Sequence, residues 1–273
     1  MRIELELRSP GKLLIDFGKL CISDLFSLPP KEVEKQTVLV GNRKFVLGDH
    51  FKIACFDADK NSLLLCGETR RIISAGRQME SGHLMIEGDA GPYTGAEMSG
   101  GELEVSGNAG DCLGEAMRGG VLRVHGNAGD WCGSAQPGQS KGMTGGTIVV
   151  DGSIGNEAGA EMRRGLLVAG GNSGKYPGLG MLAGTIICLG QLGAGAGMEM
   201  KRGSIVTGCA SELLPGFYPA GDANYEWLRI YLAWLQRYWL SDLQAWKQRS
   251  TRCFTGDHLV SGKGEILVYD FLE

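Results

Sequence analysis

The sequence predicts a mainly β protein, a right-handed parallel β-helix of about seven 19-residue glycine-rich coils, with N-terminal strands ahead of it and a C-terminal Trp-rich helix behind it. Three observations carry this reading. Methionine and glycine recur in one 19-residue register. An apolar pair spaced by two residues follows each of the first six of these methionines. Aromatic residues are nearly absent from the repeats and crowded after them.

Met79, Met98, Met117, Met143, Met162, Met181 and Met200 are separated by 19, 19, 26, 19, 19 and 19 residues. The single 26 is 19 plus a seven-residue insertion, Gln136–Gly142. Glycine recurs three, nine, twelve and sixteen residues after these methionines, and those positions hold 25 of the 45 glycines. The glycine content therefore belongs to a repeat. Collagen would need glycine at every third residue, and a disordered low-complexity chain would lack the register. Five and seven residues after each of the first six of these methionines stand apolar pairs such as Leu84/Ile86, Leu122/Val124 and Ile186/Cys188, which a strand turns to one face. Nineteen residues with glycine corners suit one turn of a β-helix, whose inward face is buried only by stacking. Six steps of about 4.8 Å give a rod of roughly 29 Å. Methionine then fills the coil interior; a cofactor-binding Met stripe is the alternative. Residues 79–209 contain only three aromatics, Tyr93, Trp131 and Tyr176, each fourteen residues after a Met, which places them on one corner.

The flanks follow other rules. Residues 1–57 form a strand-rich segment of alternating apolar and polar runs. Within it LCISDLFSLPP reads as a short helix capped by Ser23–Asp24 and stopped by Pro29–Pro30. Residues 58–76 read as a degenerate first coil, with Leu63, Leu65 and Gly67 in register, so the β-helix is expected over 58–210. Residues 211–273 form the third segment. There 222–249 reads as one long helix, with Trp227, Ile230, Tyr231, Trp234, Leu235 and Tyr238 at helical spacing. It packs along the β-helix flank or docks another chain through Trp227, Trp234, Trp239 and Trp246. Gly264–Phe271 reads as a strand.

The chain carries a net charge of −4 and no basic stripe, so nucleic acid is not an expected partner. No 18-residue apolar stretch is present and the N-terminus has no apolar h-region, so neither membrane nor secretion is expected. The eight cysteines form no CxxC and read as reduced thiols of a cytoplasmic protein. The four histidines are scattered in sequence, and no metal site is expected. GQLGAGAG at 190–197 repeats glycines found in every coil and needs no phosphate. Glu97 and Glu115 hold near-equivalent places in neighbouring coils and could form a carboxylate pair of a polymer-cleaving enzyme. One and two residues after Met stand Arg118, Arg163, Arg164, Lys201 and Arg202. They form a solvated face, or a strip for an acidic partner or a polyanionic tail. Gln136 and Lys141 belong to the insertion, and repeat insertions often map to a binding face.

The units MSGGELEVSGNAGDCLGEA and MRGGVLRVHGNAGDWCGSA resemble the glycine-rich β-helix of two families. One is the C-terminal domain of the large glutamate synthase chain. The other is the β-helical subunit of formylmethanofuran dehydrogenase and of its bacterial relative, the formyltransferase/hydrolase complex. The layout of this chain, with its own N-terminal segment and Trp-rich end, resembles the second family. The resemblance implies a cytoplasmic one-carbon complex. Its amidohydrolase-like, pterin-enzyme-like and formyltransferase subunits hold the reactive sites, and the β-helical member is a scaffold with no cofactor, metal or catalytic residue of its own. The hydrolase form moves formyl to a methanofuran-type carrier and releases formate; the dehydrogenase form couples methanofuran formylation to carbon dioxide reduction on a molybdenum or tungsten pterin. A free-standing polysaccharide-active β-helix and a detached glutamate synthase spacer are the other readings.

Overall fold

A computed structural model describes residues 1–8, 13–210, 212–223, 225–238 and 251–269. Its main element is a thirteen-stranded, mostly parallel sheet. The parallel ladder runs through β1 (Arg2–Leu7), β6 (Ser62–Cys66), β8 (His83–Ile86), β9 (Glu102–Val105) and β10 (Val121–Val124). It continues through β11 (Thr147–Val150), β12 (Leu166–Ala169), β13 (Thr185–Leu192), β14 (Ser204–Ala210) and β17 (Gly264–Val268). β5 (Phe51–Phe56) closes one end by antiparallel pairing with β1, and β16 (Thr251–Gly256) and β15 (Tyr218–Ala223) close the other. A second sheet of β4 (Arg43–Val46), β3 (Thr37–Val40), β2 (Ile15–Asp16) and β7 (Ile72–Ile73) lies at the N-terminal end.

The register follows the sequence period. His83, Glu102, Val121, Thr147, Leu166, Thr185 and Ser204 stand opposite one another in turn. The apolar pairs become two continuous stacks. Leu84, Leu103, Leu122, Ile148, Leu167, Ile186 and Ile205 form one; Ile86, Val105, Val124, Val150, Ala169 and Cys188 form the other, and all are buried. Leu63 and Leu65 enter the same stacks opposite Leu84 and Ile86, as the degenerate first coil requires. All seven repeat methionines are fully buried.

The methionines also account for one glycine series. A Cβ on Gly101 would lie 2.8 Å from the Met79 methyl, and one on Gly120 would lie 2.8 Å from that of Met98. The same pairing joins Gly146 to Met117, Gly165 to Met143, Gly184 to Met162 and Gly203 to Met181. Each methionine thus fills the space that glycine leaves in the next coil, and Gly120 also has a φ of +83° that an L side chain resists. The coils are tied by a further device that the repeat pattern alone does not reveal. Asp89, Asn108 and Asn127 each turn a side-chain oxygen to the backbone N–H of the equivalent residue one coil on, at 2.8, 2.9 and 2.8 Å. Ser153 and Asn172 continue this ladder.

Three expectations change. Helix α1 spans only Ile22–Leu25 and its N-cap is Cys21. Ser23 does not cap it: its hydroxyl accepts from the N–H groups of Glu80 and Ser81 and donates to the Ser81 carbonyl, pinning the helix to the coil. Two further short helices, α2 (Pro30–Glu34) and α3 (Leu47–His50), complete that region. Helix α4 covers Glu226–Tyr238, whereas Asp222 and Ala223 belong to β15; the expected continuation over 239–249 lies outside the described residues. Its buried stripe is Leu228, Leu232 and Leu235, and Ile230 is 71% exposed. That stripe packs on the outer face of the sheet against Val149, Val168, Ile187 and Val206, with Trp227, Tyr231 and Trp234 half-buried beside it. The sequence carries the reason: the outward register position is Glu104 and Arg123 in β9 and β10 and turns apolar from Val149 onward. The C-terminal strand ends at Val268, and Phe271 lies outside the described residues.

Met117→Asp is expected to lose several kcal/mol of stability, since it places an unpaired charge inside the coil. Gly120→Ala is expected to lose at least about 1 kcal/mol. Part of that loss should be relieved in a Met98→Ala background, because the added Cβ and the Met98 methyl compete for one space. Urea unfolding of the four members of this cycle reads the coupling.

Candidate functional site

The corner after each methionine carries the basic set, and the structure sets an acidic series beside it. Glu97, Glu161 and Glu199 precede their methionines with φ of +56°, +57° and +60°. The N–H groups of Glu97 and Glu161 point to the next coil, onto the carbonyls of Glu115 and Leu179, which offsets the strain of a left-handed residue. Arg118 is exposed and reaches Glu97 at 3.3 Å. Arg163 is half-buried and donates to the Ser140 carbonyl at 3.3 Å, so it anchors the insertion; its Nε is buried with no partner among the described residues. Arg164, Lys201 and Arg202 are exposed. Arg163, Lys201 and Arg202 line one cleft of about 440 Å³ together with Lys263, which stands outside the repeat and is not singled out by its period. Lys263 arrives there because the chain returns after a long excursion and pairs its N–H with the Lys201 carbonyl.

The helix and the basic corner also meet. Arg163, Arg164, Thr147 and Thr185 form one side of a cleft of about 570 Å³, and Ile230, Tyr231 and Trp234 form the other. Trp227 stands off this cleft, edge-on to Tyr225 and Tyr231 with ring centroids 6.2 and 5.9 Å away. Trp239 and Trp246 lie outside the described residues.

Gln136 turns inward, while Lys141 is exposed. The Gln136 amide donates to Glu97 at 3.1 Å, and Arg77 donates to the same oxygen through Nε at 3.1 Å and a terminal nitrogen at 2.5 Å. Gln78 reaches the other oxygen at 3.3 Å. Burial pushes the Glu97 carboxyl up, but the hydrogen bonds of Arg77, Gln78 and Gln136 outweigh it and hold Glu97 below its usual range. Glu115 is 4% exposed, and burial raises it despite the nearby Arg77 and Gln136, with Glu97 adding to the rise. It lines a cavity of about 410 Å³ with Tyr93, Trp131, Gln136, Glu157 and Glu161. The cysteines inside the coils are inert by the same physics: burial pushes the Cys132 thiol up to about 12 and those of Cys112 and Cys188 up to about 11.

Two of the histidines scattered in sequence converge on the outer face of the sheet. His125 bridges Glu104 at 2.7 Å and Asp151 at 2.9 Å; His83 lies 3.8 Å from Glu104, and Arg123 reaches Asp151 at 3.1 Å. Among the described residues no group of three His, Cys, Asp or Glu is arranged to hold a metal ion. Among them also, no helix is long and apolar enough to cross a membrane.

The fold and these corners define a β-helix-like chain whose charged and aromatic side chains stand in ladders on its edges. No protein-family model matches the sequence. No curated protein matches it either. Among solved structures, it is similar to a chain of the formyltransferase/hydrolase complex (FhcABCD) from Methylorubrum extorquens in complex with methylofuran. The two superpose with a TM-score of 0.87 at 32% identity, over 97% of this chain and 98% of that one. This protein belongs to the family of that chain.

Glu97 and Glu115 should respond oppositely to neutralisation. Glu97 releases its proton more readily in the folded state, so its share of stability is present above about pH 4.3, its unfolded value, and is lost as pH falls through the folded value. Glu115 holds its proton more tightly when folded, so its burial penalty grows as pH rises. Thermal melts at pH 7 should show Glu97→Gln destabilised and Glu115→Gln unchanged or stabilised.

Proposed function

We propose that this chain is a non-catalytic, structural subunit of a cytoplasmic formyltransferase/hydrolase complex that moves formyl groups onto a methanofuran-type carrier and releases formate. The similarity to a chain of the Methylorubrum extorquens complex, over nearly the full length of both, is the observation that carries this reading. In it, the chain assembles with amidohydrolase-like, pterin-enzyme-like and formyltransferase subunits. The ladder is a right-handed parallel β-helix of about seven coils over residues 58–210, capped by 1–57 and closed by 211–273. Glu97 and Glu115 are poorly placed for acid–base work on a polymer, because Glu97 is tied to Arg77, Gln78, Gln136 and Arg118.

The contact surfaces are the basic corner, the insertion and the Trp-bearing helix. Arg118 and Arg163 are partly engaged within the chain, so Arg164, Lys201, Arg202 and Lys263 are the cations offered to an acidic partner surface or an acidic carrier tail. Trp234 and Tyr231 line the cleft beside Arg164 and continue this surface.

The tagged chain, expressed in its native host, should co-purify with formyltransferase-like and amidohydrolase-like subunits, while alone it should show no formyl transfer and no formate release. Turnover by the purified chain, or its recovery without partners, would overturn this function. Arg164→Glu with Arg202→Glu should weaken assembly, or raise the KM for the carrier with a steep salt dependence, and leave the melting temperature of the isolated chain unchanged.

A further inference from the structure

The cavity on the aromatic corner has a composition unlike the basic corner. Glu115, Glu157 and Glu161 line it, and no Lys, Arg or His does. Among the described residues none of these three carboxylates forms a salt bridge, although Arg77 and Gln136 act on Glu115 and Trp131 donates to Glu157; Glu97 beside them is paired with Arg77 and Arg118. Two of its walls are aromatic. Trp131 is 41% exposed, Tyr93 is 39% exposed, and the Trp131 indole N–H donates to Glu157 at 3.2 Å, which fixes the ring. A third wall is the insertion, where Gln136 is held on Glu97 and Pro137 and Gln139 are exposed, with Ser140 held by Arg163 just beyond. The volume, about 410 Å³, falls in the range of small-ligand sites.

An aromatic face beside carboxylates that form no salt bridge is an environment that attracts an organic cation. Among cations a guanidinium fits best, since it stacks on a ring and forks onto a carboxylate. We propose that this cavity receives an arginine side chain presented by a partner protein of the complex. The assignment to a protein, rather than to a free amine, rests on the assembly proposed above. It is supported by the insertion, the one break in the repeat, which supplies one wall. Trp, Tyr and Arg are also the residue types that dominate interface hot spots.

The test begins with the full chain alone and Nα-acetyl-arginine amide as the probe. Its titration, followed by the indole N–H resonance of Trp131 (assigned with Trp131→Phe), should give a saturable shift that the uncharged citrulline analogue does not. Glu115→Gln should weaken the probe at least tenfold while the chain is as stable as the parent or more so, a combination that a merely structural role would not produce. Trp131→Ala should abolish binding. In the assembled complex both variants should retain partner subunits less well. Absence of a saturable shift, equal binding of the citrulline analogue, or unchanged affinity in Glu115→Gln would overturn the site. Probe binding with normal assembly of both variants would make it a small-amine site and overturn the partner assignment. Recovery of the chain without partners would sink the assembly reading, while the titration would still decide the chemistry of the cavity.

Discussion

One contact recurs through the molecule: the methionine of each coil enters the space left by the missing Cβ of a glycine in the next. Dispersion in a close-packed interior rewards that fit, and either partner changed alone leaves a void or a clash. The contact links residues 22 positions apart in most coils, so it fixes the stacking register as well as filling the interior. The strand stacks of Leu, Ile and Val and the Asx ladder on the outside then repeat at the same step. Each element enforces the period that the others need. Such a chain resembles a one-dimensional stack, where each coil is stabilised by its neighbours.

The corners explain why chemistry collects where it does. Left-handed positions occur at equivalent points of successive coils: Tyr93, Cys112, Trp131, Glu157 and Tyr176 on one corner, and Gln78, Glu97, Ala116, Glu161 and Glu199 on another. Non-glycine residues are tolerated there because their N–H groups reach carbonyls of the adjoining coil, as for Tyr93, Trp131 and Glu161. Side chains at such corners stand in columns one strand spacing apart. A charge in one coil therefore meets the side chains of its neighbours whether or not they are near in sequence. Arg77, Glu97, Arg118 and Gln136 form one such network across four coils.

The insertion and helix α4 act on this frame from outside. The insertion does not disturb the ladder, since Val121 still pairs with Thr147 across it. It is drawn back by Gln136 and Arg163 and so turns a flat corner into a walled cavity. Among the described residues helix α4 covers the sheet from Val149 onward, and the charged patch of Glu104, Arg123, His125 and Asp151 lies beside it. The two additions thus give different faces of a regular stack different surfaces.

The sequence by itself determined the coil period, the strand positions, the buried methionines and the location of the insertion. These depend on which residue types can occupy a glycine corner or an inward strand position, a local requirement repeated seven times. The ends are less legible because they do not repeat: Ser23 has the sequence position of a cap, yet its hydroxyl serves the coil at Glu80 and Ser81, and Ile230 has the spacing of a core residue, yet it is exposed. Only the tertiary structure decided which charges answer which, since Gln136 and Glu97 are 39 residues apart and Lys201 and Lys263 are 62 apart. Stacking brings such pairs together within one or two strand spacings, a distance that sequence separation does not encode.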